Sequence, residues 1–157
     1  IIPRGLAGGY TLYRPEEDKN YTSKNEMLDN LVGLLGGRVA EQLILGDIST
    51  GASNDIERAS KIARSMVTRY GFSGQLGMVN YANDDDEVFI GRDLAHARSH
   101  SEYISGEIDK EVKLIIQDCH EKAKEVLVQN MDKLEACAQL LLKKERINRK
   151  EFESLFD

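Results

Sequence analysis

The chain has no tryptophan, two prolines, two cysteines and three histidines in 157 residues. Each scarcity closes a class of protein. Two prolines beside 41% hydrophobic residues do not fit a disordered or proline-rich linker, and the length suits one domain with a sizeable core. Cys119 and Cys137 are too few for a disulfide framework, and their spacing fits no zinc motif. Both fall in helical patterns and are expected as reduced, buried thiols at different heights of a hairpin turning near Asn130. No window is long and apolar enough to span a membrane, and no signal peptide is visible. A net charge of −6 argues against the clustered Lys and Arg of a nucleic-acid surface, so no nucleic-acid partner is expected. No Gly-x-x-x-x-Gly-Lys-Ser/Thr phosphate loop occurs. Nor does a His-Glu-x-x-His zinc helix. His96 and His100 have its four-residue spacing, but Ala97 stands where the general-base Glu would be and no third ligand follows. The acidic run Asp84–Glu87 lacks the spaced ligands and glycine of a calcium loop and reads as a solvated turn.

What is present is mostly helical periodicity. Residues 1–14 alternate around Gly5 and Gly8-Gly9 and read as a small β-ribbon. Ser23 and Glu26 form a capping box that opens a helix to about Leu45, with Met27, Leu28, Leu31, Leu34, Leu35, Val39, Leu43 and Ile44 on its apolar side. Gly33, Gly36 and Gly37 lie inside that helix at a cost of about 1 kcal/mol each relative to Ala, so a close backbone approach there is expected. A second helix runs from about Asp55 to Tyr70, with Gly71 as its stop. Residues 72–93 read as a loop with short strands at Met78–Tyr81 and Val88–Ile90, around a turn at Asn83–Asp86. A long amphipathic helix follows over Ser101–Gln129. Another spans 131–144 with Leu134, Cys137, Ala138, Leu141 and Leu142 inward. Asn148 and Glu151 cap a last short helix ending at Phe156. This helical half carries no acid, base or nucleophile constellation, so its expected task is assembly and support.

The densest stretch is Ser49–Ala59. Thr50-Gly51-Ala52 breaks an apolar segment, and Asn54 with Glu57 has the spacing of a capping box. Asp55 then becomes the first helical residue, where the amide dipoles favour an anion. On spacing alone its role is structural.

Resemblance changes that reading. Thr50–Ala59 (Thr-Gly-Ala-Ser-Asn-Asp-Ile-Glu-Arg-Ala) resembles a segment of the FtsH family, membrane-anchored AAA+ zinc metalloproteases. Ile1-Ile2-Pro3-Arg4-Gly5, Gly8-Gly9-Tyr10, Pro15–Asp18, Leu35–Glu41, Met66-Val67-Thr68, Tyr70-Gly71, Leu76-Gly77 and Glu87–Arg92 follow in the family's order. The resemblance implies a mainly α-helical fold with a small β element, the helical zinc-peptidase domain of FtsH type, incomplete at its N-terminus. The whole of 1–157 is then one peptidase-domain fragment, with β-ribbon, metal-ligand helix and active-site loop in 1–98 and a helical part in 99–157. Asp55 is implied as the third zinc ligand. The other two ligands and the general base belong to a His-Glu-x-x-His helix just upstream of Ile1, so no catalytic residue is expected in this chain and it is expected to be inactive alone. Glu41 is a second residue near the metal, though not a ligand; its plainer reading is an exposed or salt-bridged helix residue.

The same resemblance implies ATP and Mg in an AAA+ domain outside this chain, unfolded or membrane proteins as substrates, and a homo-hexamer. It also implies a bacterial inner membrane with the peptidase facing the cytoplasm. The strand at Ile1–Leu12 is a candidate for taking substrate by β-addition. The alternative is a non-catalytic helical assembly module, which a His-Glu-x-x-His upstream of Ile1 would exclude.

Overall fold

A computed structural model describes residues 21–82 and 100–156. The expected β-ribbon at 1–14, the turn at Asn83–Asp86, the strand at Val88–Ile90, and His96 lie outside them. The described chain forms five α-helices: α1 (Lys24–Leu45), α2 (Ser53–Thr68), α3 (Glu102–Gln129), α4 (Met131–Lys144) and α5 (Arg149–Glu153). A 3-10 turn, Thr50–Ala52, leads directly into α2.

The helix starts follow from capping chemistry. The Ser23 hydroxyl accepts from the Glu26 N–H, and the Glu26 carboxylate accepts from the Ser23 N–H at 2.8 Å, so the box at α1 forms. Asn148 and Glu151 do the same at α5. The Ser101 hydroxyl caps α3 by accepting from Ile104 N–H. At the far end of α2, Gly71 takes φ +63°, and Phe72 N–H returns to the Met66 carbonyl at 2.9 Å.

The core lies among α1, α2 and α3. Leu31 and Leu35 of α1 meet Ala59, Ala63 and Met66 of α2 and Cys119 of α3. Ala59 and Ala63 are one turn apart, and their small side chains bring α2 close to its neighbours. Complete burial of Leu31 and Met66 contributes about 1.5–3 kcal/mol each. Burial also pushes the Cys119 thiol up, with Asp118 and Asp29 adding to the effect, which keeps it protonated; Cys119 and Cys137 are both free. The polar edges are tied as well. The Ser73 hydroxyl donates to Glu111 at 2.6 Å and accepts from the Gln75 and Leu76 N–H groups, while Arg64 pairs with Asp109 at 2.7 Å.

Three expectations are corrected. Met78–Tyr81 is not a strand. Tyr81 N–H instead donates to the Thr68 carbonyl at the end of α2, and Met78 stands in solvent after the turn at Gly77. That carbonyl is one of the four that a helix end leaves without an internal partner. The inward face assigned to 131–144 is not buried: α4 has no buried residue, and Leu142 and Ala138 are exposed. Its periodicity is real, but Leu134, Cys137 and Leu141 are only half-buried, so Cys137 is not the buried thiol expected. The last helix stops at Glu153 rather than Phe156, beyond which the chain continues in turns.

Candidate metal-ligand helix and its entry turn

The site is built where the end of α1 meets the start of α2. Arg38 and Glu41 stand three residues apart on α1, so their side chains are neighbours on one face. Both reach Ser49. Arg38 Nη1 donates to the Ser49 carbonyl at 2.9 Å. The Glu41 carboxylate accepts from Ser49 N–H at 3.1 Å and from Ser49 Oγ at 2.9 Å. Those two bonds, the backbone one first, hold the Glu41 carboxyl below its ordinary range, and the Arg38 charge adds to them. What the structure shows of Glu41 is this hydrogen-bonded clasp on Ser49.

Ser49 in turn starts the 3-10 turn. Its backbone is extended, at φ −106° and ψ 173°, and its Oγ accepts from Gly51 N–H at 3.1 Å. Ser53 N–H bonds back to the Thr50 carbonyl, and α2 begins at Ser53 without a break. The capping box expected at Asn54 and Glu57 is therefore not formed. A capping residue needs extended backbone, and the chain is already helical at Ser53, φ −58° and ψ −42°. Glu57 pairs with Lys61 instead, at 2.6 Å. Capping has moved upstream to Ser49, whose place before Thr-Gly was the available signal.

Asp55 lies in the first turn of α2 and is half-buried. No described residue donates to or pairs with its carboxylate. A carboxylate oxygen is a donor that zinc accepts, and the first helical turn favours its charged form. It fits one ligand of a zinc centre. Among the described residues no cluster of three or more His, Cys, Asp or Glu side chains could hold a metal. His100 packs edge-on against Tyr81, with ring centroids 5.9 Å apart, and His120 sits beside Glu121. Neither joins Asp55 in such a cluster, and His96 lies outside the described residues. On α1, an added Cβ at Gly33, Gly36 or Gly37 would meet no atom of the described residues within 4 Å, so none of these residues makes the close backbone approach expected there.

Residues 1–155 match peptidase family M41. Over its full length the chain is 55% identical to "ATP-dependent zinc metalloprotease FtsH 1" of Thermoanaerobacter sp., and covers 26% of that protein. Over 99% of its length it is 56% identical to "ATP-dependent zinc metalloprotease FtsH" of Caldicellulosiruptor bescii, covering 25% of it. The Bacillus subtilis protein of the same description is 48% identical over the whole chain, which again covers 25% of it. The chain thus spans about a quarter of the length of these curated relatives. It belongs to peptidase family M41.

Proposed function

We propose that this chain, as a member of peptidase family M41, is the peptidase portion of an ATP-dependent zinc metalloprotease, with Asp55 as one of three protein ligands of the zinc. The observation that carries this reading is the family match over residues 1–155, with Asp55 in the first turn of α2 and no described residue bonded to its carboxylate. When bound, zinc polarises the scissile carbonyl and activates water for attack. Three protein ligands leave a fourth position open for that water. Asp55 contributes a charge, a fixed direction and one oxygen donor. The two histidines and the general base come from a His-Glu-x-x-His helix, which this sequence does not contain.

The wider reading follows from the same membership. Residues 1–98 carry the metal-ligand helix and active-site loop, and 99–157 support them. ATP and Mg act in an AAA+ domain outside these 157 residues. Substrates are unfolded or membrane proteins, taken as extended segments by β-addition to the segment 1–12, which the sequence pattern reads as a strand. The whole protein is a homo-hexamer held in a bacterial inner membrane with the peptidase facing the cytoplasm. Among the described residues no helix is long and apolar enough to cross a membrane.

The test is Asp55→Asn in the full-length protein. The substitution keeps the shape and removes the charge. Proteolysis of an unfolded protein such as casein is lost while ATP hydrolysis is retained. Retained proteolysis would return Asp55 to a helix-dipole role.

A further inference from the structure

Ser49 is engaged by more groups than a simple turn residue needs. Its N–H and Oγ both donate to Glu41, its carbonyl accepts from Arg38, and its Oγ also accepts from Gly51 N–H. The helix that follows has no side-chain cap of its own. Its entry direction is therefore set by what holds Ser49.

We propose that Ser49, clasped between Arg38 and Glu41, is a positioning residue for the metal-ligating carboxylate of Asp55. The inference rests on the reading of Asp55 as a zinc ligand. The geometry supplies the lever. α2 is fixed to α1 at two places: along its length by Ala59, Ala63 and Met66 against Leu31 and Leu35, and at its entry by the clasp. The first attachment sets where α2 lies. The second sets the first turn, where Asp55 stands and where a helix with unsatisfied amides otherwise frays. A ligand must be held within about 0.5 Å of productive geometry. Groups hydrogen-bonded to a ligand typically alter metal affinity about 10–100-fold; Ser49 acts one step further out, through the turn, so the lower end of that range is its expected effect. Loosening the entry turn should therefore weaken zinc before it unfolds the helix.

The experiment measures zinc affinity of the full-length protein by competition with a chromophoric chelator, alongside ATP hydrolysis and thermal unfolding. Ser49→Ala is expected to weaken zinc about 10-fold, with ATP hydrolysis near wild type. Ser49→Thr keeps the hydroxyl and restores affinity. Arg38→Ala, which leaves the Ser49 hydroxyl bonds in place, gives a smaller loss in the same direction and replaces Ser49→Ala should that variant not fold. Ser73→Ala removes a comparable hydroxyl from the polar tie to Glu111 and leaves zinc affinity unchanged. Zinc affinity within twofold of wild type in Ser49→Ala, while Asp55→Asn is strongly weakened, overturns the clasp alone. Equal weakening by Ser49→Ala and Ser73→Ala also overturns it, because general loosening then explains both. Unchanged affinity in Asp55→Asn overturns the ligand reading and the clasp together.

Discussion

Glycine-to-alanine substitution should have opposite signs at two places in this chain, each set by the local backbone and its neighbours. Gly37 lies inside α1 with helical backbone, and an added Cβ would meet nothing among the described residues within 4 Å. There Ala removes the backbone entropy that Gly loses on folding, a gain of about 1 kcal/mol. Gly71 is the contrary case. Its φ is +63°, and an added Cβ would lie 3.0 Å from the Met78 Cα. Left-handed backbone costs a non-glycine residue about 1–2 kcal/mol, offset by about 0.4–1 kcal/mol from the stiffer unfolded chain. The net loss is about 1 kcal/mol before the contact with Met78. That contact adds to it, because a backbone atom cannot rotate away as a side chain can.

The two variants should therefore differ by about 2 kcal/mol or more. For a chain of this length that is about 4–8 °C in Tm. Urea denaturation and thermal melts of the 157-residue chain, run side by side on Gly37→Ala and Gly71→Ala, make the comparison. A Gly37→Ala variant at or below wild-type stability would refute the reasoning, since it would mean that a further group lies against that face of α1. Gly71→Ala at wild-type stability would refute the assigned turn geometry.

Two further outcomes follow. Leu31→Ala should destabilise by about 2–5 kcal/mol, because Leu31 is wholly buried at the junction of three helices; Leu142→Ala, at 69% exposure, should stay within about 0.5 kcal/mol by the same denaturation assay. Acid should open the clasp: the Glu41 carboxyl is held below its ordinary range, so its contribution is present above the unfolded-state value and is lost as pH falls through the lower folded one. The Ser49 amide resonance should titrate with a midpoint below that of an ordinary glutamate, and a midpoint at or above it would contradict the bonds drawn here.

The helices were legible to the degree that their ends carry their own chemistry. Ser23 with Glu26 and Asn148 with Glu151 form the expected boxes, and 131–144 is helical over the expected span. Such signals are local, so a sequence carries them whole. Burial is not local. The stripe on α4 was read as an inner face from its period, yet periodicity names a face without naming what covers it. Met78–Tyr81 failed for a related reason. Apolar residues in a short run suit a strand, but a strand also needs a ladder partner, and the Tyr81 N–H found the end of α2 instead.

The site divides along the same line. Asp55 entered through the family pattern of its segment; dipole preference alone would have left it structural. The clasp was not legible: the helix end near Leu45 was, but nothing in the spacing of Arg38, Glu41 and Ser49 states that the chain then folds back onto α1 within four residues. Once it does, the chemistry becomes directional. Arg38 carries only donors and meets the Ser49 carbonyl; Glu41 carries only acceptors and meets the Ser49 N–H and hydroxyl. The two charges thus recognise opposite polarities of one residue and admit it in one orientation. Leu31, Leu35 and Val39 meanwhile turn the core face of α1 inward at four-residue steps. One helix therefore serves two tasks on two faces: its apolar stripe fixes where α2 packs, and its charged pair fixes the turn from which α2, and Asp55 with it, sets out.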